Sequence, residues 1–339
     1  MTSPRTISIG SAPNLESRFL EVVEECKRRD PLAPLLILVP NRATGDRLAA
    51  LVAKARARIG VTFSTLEVAA KETVTGGGDL SLPPGSERLL AGVLLERTGL
   101  FGDFAKRAGF LGGLSSTLRD LLDARVPRDF EPGPPESGLG KLMELHRAHG
   151  DLRGELGLSD DSSSLAEAAR SLEGGAELSP NGACTVLLFG IYDPTGLQFD
   201  FLVAAAKAAQ AFHGFLPDHP FAGHFGRRLC TALQVQPTQL ANTPQDDAPR
   251  DLAALRWAWR DGTGRTRPEF ERDASAEVLA VPGGSVGARL VAGEVLALLE
   301  GGELDPRDVL LVSRGSGGLD QDAVALELKR LGIPVASDG

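Results

Sequence analysis

Several features that would assign this chain to a class at once are scarce or missing. Its 339 residues include three cysteines, two tryptophans and one tyrosine. Cys26, Cys184 and Cys230 are far apart, odd in number and without CxxC spacing. That excludes a disulfide or zinc framework and leaves small buried hydrophobes in a reducing compartment. No apolar run approaches the ~20 residues that span a bilayer, and Met1–Gly10 lacks the apolar stretch of a secretory signal. The expected location is therefore the cytoplasm, without membrane contact. Positive charge is not in excess either: 36 basic against 45 acidic side chains leave −9. Bulk attraction to nucleic acid is excluded, and only a local basic groove remains open. G-x-S-x-G and H-E-x-x-H are absent. His146 and His149 stand at i, i+3 with no third ligand nearby, and His219, His224 and Cys230 are loosely spaced. No metal or cofactor is expected.

What is present describes a soluble globular chain, 42% hydrophobic and 24% charged, with forty glycines and an aliphatic core. Its length suggests two or three domains at roughly 100–200 residues each. Thr6–Ile9 is a short β-rich run, followed by helical spacing at Leu15, Phe19, Val22 and Val23. Leu35–Val39 is continuously apolar, as in a strand buried on both faces. Asn41 is placed to cap a helix carrying Leu48, Leu51 and Val52. Strand character returns at Gly60–Thr65 and helix at Leu66. This alternation predicts a parallel sheet covered by helices. Helical periodicity then dominates from Pro84 to Leu172, interrupted by the Pro/Gly-rich stretch Phe130–Gly138. A strand at Thr185–Phe189, a helix over Phe199–Ala209 and an apolar run at Ala211–Leu216 complete the first sheet. A second α/β unit is expected from strands at Ala276–Val281 and Asp308–Val312, helices at Val286–Leu299 and Asp322–Leu331, and the apolar stretch Ile333–Val335.

The turn after the first strand is the place for a phosphate cradle. A P-loop reads G-x-x-x-x-G-K-[ST], with backbone N–H groups and a lysine around the phosphates. Here Gly10 and Ser17 occupy the first and last positions, but Leu15 replaces the second glycine and Glu16 the lysine. A carboxylate there inverts the interaction, roughly 4 kcal/mol at ~4 Å and an effective dielectric near 20. Pro13 removes one more donor. The window is a degenerate nucleotide site or an ordinary strand–turn–helix. The magnesium-holding acid expected at the end of a later strand is missing too, since Phe189 and Gly190 stand in its place. Asp193 lies beyond, where it is expected to cap the following helix.

Residues 41–60 hold Arg42, Arg47, Lys54, Arg56 and Arg58 against Asp46, a local +4 in an acidic chain. Asn41, Arg42 and Arg47 sit where a strand meets a helix N-terminus, a setting that suits phosphate contact and equally a solvated helix face. Thr62, Ser64 and Thr65 supply hydroxyls at the next strand–helix junction, for phosphate or for capping.

The ordered set of segments resembles the N-terminal part of AddB-type proteins of the PD-(D/E)XK nuclease family, which carry an inactivated helicase module of the UvrD/Rep type. Leu35-Leu-Ile-Leu-Val-Pro-Asn-Arg-Ala-Thr44 is similar to helicase motif Ia, and Val61-Thr-Phe-Ser-Thr-Leu66 to motif Ib. Val186–Gln198 resembles a degenerate Walker B segment, and the helical stretch Gly85–Leu172 the insertion called 1B. Gly302–Arg314 and Leu331–Val335 resemble the opening of a second motor-like domain. The resemblance implies a P-loop-NTPase-like (RecA-like) parallel-sheet domain split over residues 1–75 and 180–233, with a helical insertion over 76–179. It further implies a linker with one helix over 234–274 and a partial, apparently truncated 2A-like α/β domain over 275–339. The implied role is a catalytically inactive module of a double-strand-break repair helicase–nuclease, in which an AddA-type subunit supplies translocation. Full-length members are ATP-dependent helicase/nuclease (exodeoxyribonuclease) subunits. The implied contacts with DNA, single-stranded or a duplex end, fall on Asn41, Arg42, Ser64 and Thr65, joined by Arg47 from the basic run. No D…[DE]-x-K site lies in suitable strand context, so neither ATP hydrolysis nor DNA cleavage is expected of this chain. The alternatives are a structural module that docks a helicase subunit without DNA affinity, or a nucleotide-using α/β enzyme.

Overall fold

The computed structural model describes residues 4–55, 59–74, 80–81, 86–178, 185–218, 220–240, 276–277, 279–302, 304–312 and 321–336. The chain divides into two compact units, Met1–Gln245 and Asp246–Gly339.

The first unit is built on six parallel strands. In chain order they are β1 (Arg5–Gly10), β2 (Leu35–Leu38), β3 (Val61–Ser64), then β6 (Thr185–Phe189), β7 (Ala211–Pro217) and β8 (Pro237–Gln239). A two-stranded parallel pair, β4 (Leu80–Ser81) with β5 (Leu158–Ser159), stands apart. Across the large sheet the order is β3-β2-β6-β7-β1-β8. The chain thus lays down one half of the sheet, leaves for about 120 residues, and returns to pair β6 directly with β2.

Strands read as continuous apolar runs are buried on both faces, and alternation sorts their side chains. Leu35, Ile37, Leu187, Phe189 and Phe215 face one cluster; Leu36, Leu38, Val186, Leu188 and Phe212 face the other. Helices α1 (Ala12–Arg29) and α2 (Arg42–Ala55) cover the first face through Leu15, Phe19, Val23, Leu48 and Val52. Phe19 meets Phe189 and Phe215 edge-on at 5.5 and 5.7 Å between ring centroids. The second face carries α3 (Leu66–Thr73), α7 (Asp161–Glu173), α8 (Gly196–Ala208) and α9 (Pro220–Leu233). Right-handed crossovers explain the division. Connections from β1 and β2 run one way along the sheet, and those from β3, β6 and β7 run the other, so their helices fall on opposite faces.

Helices α4 (Ser86–Thr98), α5 (Ala108–Asp123) and α6 (Gly138–Leu156) have a core of their own, including Leu90, Leu94, Leu118, Leu145 and Leu152. The next helix, α7, instead shares the sheet's core through Leu165, Ala168 and Leu172. Edge strand β8 lies at the start of the polar stretch read as linker, and all three of its residues are exposed. Nothing in its composition announces a strand; pairing with β1 makes it one.

In the second unit, α10 (Gly284–Glu300) and α11 (Gln321–Arg330) pack through Ala288, Ala292, Val295, Val324 and Leu328. The strands expected at 276–281 and 308–312 are not found among the described residues. Leu310 and Val312 are 84% and 85% exposed. An apolar run becomes a strand only when a neighbour takes its N–H and C=O groups, and no strand partner lies among the described residues. The helix expected within the linker lies outside the described residues, as does Cys184. No helix among the described residues is long and apolar enough to cross a membrane.

Candidate nucleic-acid interface

In an open parallel sheet, ligands gather at the C-terminal strand ends, where neighbouring connections leave in opposite directions. Here β2 departs toward β3 while its neighbour β6 departs toward β7, and the two chain exits are Val39-Pro40-Asn41 and Gly190-Ile191. Gly190 has φ +73°, and a Cβ there would lie 3.9 Å from Cδ of Pro40. The two turns therefore sit side by side.

The first strand's end is closed. Strand β1 stops at Gly10 and α1 starts at Ala12, so Ser11 alone connects them. A phosphate cradle needs several residues of loop whose N–H groups turn inward; this connection has none to spare. A Cβ on Gly10 would be 3.0 Å from Cβ of Leu240, and the Leu240 amide donates to Ile9 O at 2.8 Å. The Asp218 amide donates to Gly10 O at 2.9 Å. Leu240, directly after β8, thus packs against the end of β1 where phosphates would lie. Ser17 is exposed on α1. Glu16, at the lysine position, forms an ion pair with Arg47 of α2 at 2.6 Å. Two residues singled out separately, one for a lost nucleotide site and one for DNA, are thus partners.

The end of β6 offers no metal ligand. Phe189 is packed against Phe19 and Phe215, and Asp193 is exposed. Asp193 does not cap α8. Thr195, two residues on, accepts from the Gln198 amide at 3.4 Å while the Thr195 amide donates to Gln198 Oε1 at 2.9 Å. That reciprocal box fixes the helix start, and Gln198 Nε2 donates onward to Glu67 at 2.6 Å. No group of three His, Cys, Asp or Glu among the described residues is placed to hold a metal.

The residues resembling motifs Ia and Ib gather at the ends of adjacent strands. Asn41 Oδ1 accepts from the Thr44 amide at 2.9 Å, capping α2. Arg42, at the first position of α2, is 88% exposed and stands 3.7 Å from Asp46. Thr65 caps α3, accepting from the Val68 amide at 3.5 Å. Ser64 is buried, and its hydroxyl donates to Thr65 O at 3.2 Å. Two helix N-termini, α2 and α3, therefore point out of neighbouring strands, with Arg42 and the Glu16-tethered Arg47 beside them. Lys54 lies at the far end of α2, and Arg56 and Arg58 lie outside the described residues.

Sequence reasoning missed Leu240, which closes Gly10 from inside the presumed linker. It also missed a group of arginines beside α6, brought together from four separated positions. The glycines at 150, 154 and 157 were the available signal that one face of that helix is open. No protein-family model matches the chain, and no curated protein matches it.

Proposed function

We propose that the chain is a catalytically silent, helicase-like module that binds single-stranded DNA across the ends of β2 and β3. Its setting would be a double-strand-break repair complex whose AddA-type subunit supplies the motor. The observation that carries this reading is the closed end of β1. The six-stranded parallel sheet has its helical excursion, while the turn after β1 is a single residue, Ser11, is packed by Leu240 and carries a carboxylate tied to Arg47. What stays accessible is a pair of helix N-termini with Arg42, suited to phosphate oxygens and without sequence preference.

The test is fluorescence anisotropy with a labelled oligothymidylate over a series of salt concentrations. Binding should weaken as salt rises, and Arg42→Ala with Arg47→Ala should lower both affinity and the salt slope. Glu16→Gln frees Arg47 from its partner and should tighten binding. An affinity insensitive to all three changes refutes the assignment of the interface. Calorimetry with Mg·ATP should show no heat of binding. The docking reading draws on Leu89 and Val93, one turn apart on α4 and 74% and 41% exposed. Replacing both with Glu should release a partner subunit and leave DNA affinity unchanged if that reading holds.

A further inference from the structure

Three buried side-chain nitrogens among the described residues lack a hydrogen-bond partner: Nδ1 of His146, Nδ1 of His149 and Nε of Arg153. All belong to α6 and, at i, i+3 and i+7, to one face of it. Unsatisfied buried polarity is rare in folded proteins, and its concentration on one helix face calls for a reason. Two of the three, His146 and Arg153, line a cleft of about 660 Å³ between α6, α7 and the turn that follows α5. Its volume lies within the range of small-molecule sites.

The chemistry of the walls is one-sided. Arg125, Arg128, Arg153 and Arg170 all line the cleft, against a single carboxylate, Glu167. Three of the guanidiniums are held by acids that do not line it. Arg125 pairs with Asp200 at 2.8 Å, Arg128 with Asp151 at 3.3 Å and Arg153 with Asp160 at 2.6 Å. A guanidinium has five N–H donors and a carboxylate occupies at most two, so each pair orients an arginine and leaves donors for the cleft. Arg153 is the most firmly set, its side chain only 9% exposed and also donating to Ser163 Oγ at 3.1 Å. Asp160 is itself the N-cap of α7, which braces the pair on a helix terminus.

The floor is made of glycine. A Cβ at Gly150 would fall 2.3 Å from Cζ of Arg128, so that guanidinium lies across the helix where no side chain intervenes. A Cβ at Gly154, one turn on, would meet nothing within 4 Å. Four guanidiniums around one open volume suit a group with several oxygens and more than one negative charge.

The geometry points to a phosphate-binding cleft, in which Arg125, Arg128, Arg153 and Arg170 hold a phosphoryl or phosphodiester group over the Gly150–Gly154 face of α6. The phosphate belongs either to a small phosphorylated ligand or to a nucleic-acid strand. In the second case the inference rests on the DNA reading above and adds a contact remote from the β2–β3 end.

Two variants reach the cleft by different routes. Arg128→Gln with Arg170→Gln removes charge at exposed positions, and Gly154→Leu fills the open volume. Each is titrated by calorimetry with pyrophosphate and, separately, with an oligothymidylate, beside the Arg42→Ala/Arg47→Ala variant. Pyrophosphate should bind the wild type, weaken about tenfold or more in each cleft variant, and be unaffected by the Arg42/Arg47 changes. Parallel loss of oligothymidylate affinity in the cleft variants assigns the phosphate to a strand; retained affinity assigns it to a small ligand. Absence of pyrophosphate binding to the wild type, or wild-type affinity retained in the cleft variants, overturns the proposal. The DNA reading fails on a different result, an oligothymidylate affinity that ignores Arg42 and Arg47.

Discussion

Lys27 is among the most deeply buried side chains of the first unit, 2% exposed, and among the described residues no carboxylate forms an ion pair with it. Its Nζ donates instead to backbone carbonyls: Ile59 at 2.5 Å, Ala33 at 2.6 Å, and at longer range Pro31 and Gly60. Those carbonyls belong to the turns that lead into β2 and β3, so one ammonium joins the end of α1 to the entrances of two neighbouring strands. Substitution of Lys27 by Met keeps the length and apolar stem and removes the donor. Two part-buried hydrogen bonds, to Ile59 O and Ala33 O, are then lost, at about 1–3 kcal/mol each. Burial pushes the Lys27 pKa down, which shows that the charge itself is costly here, and Met recovers part of that cost. The net loss should be about 2–4 kcal/mol, a fall in melting temperature of about 5–15 °C for a unit of this size. Thermal and urea melts followed by circular dichroism measure it. Amide exchange at Leu35, whose N–H donates to Gly60 O at 2.8 Å, should accelerate before the sheet centre does. A Lys27→Met protein as stable as the wild type would refute the reasoning. It would mean that desolvating the ammonium costs as much as the carbonyl bonds return.

Two glycines of α6 should respond in opposite directions. A Cβ at Gly140 would lie 2.4 Å from Pro134 O and 2.8 Å from Pro135 O, rigid backbone that has no room to move, so Gly140→Ala should destabilise by about 2 kcal/mol or more. Gly154→Ala meets open space and should stabilise by up to about 1 kcal/mol through helix propensity, both read from urea midpoints. Burial, then nearby Arg153, lowers the His149 pKa from 6.5 to about 4. Below about 6.5 the unfolded chain takes a proton that the folded one refuses. Stability intact at neutral pH should therefore fall as pH drops from 6.5 toward 4, by up to about 3 kcal/mol. His149→Gln should flatten that part of the stability–pH curve; an unchanged slope counts against the assignment. His213, also lowered by burial, contributes with the same sign.

The parallel sheet was legible because its central strands carry their burial in composition. Leu35–Leu38 and Val186–Phe189 are apolar on both faces, and the turns after them lead to helix caps. Capping by Asn41 followed directly from residue type and position. The same reasoning misplaced the cap of α8, because Asp193 and Thr195 are both good caps and only the reciprocal bond to Gln198 separates them. It also took Asp308–Val312 for a strand. An apolar run reads alike whether a sheet covers it or solvent does, and here Leu310 and Val312 face solvent.

Alternating apolar runs and helix periodicity are local properties, and they determine the α/β class. Which charges meet is not local. Glu16 and Arg47 stand 31 positions apart, and Leu240 reaches Gly10 only because β8 pairs with β1. Arg125, Arg128, Arg153 and Arg170 share a cleft because α5, α6 and α7 pack together. Electrostatic and steric contacts act through space at a few ångströms, and only the tertiary fold decides which distant parts of a chain come that close.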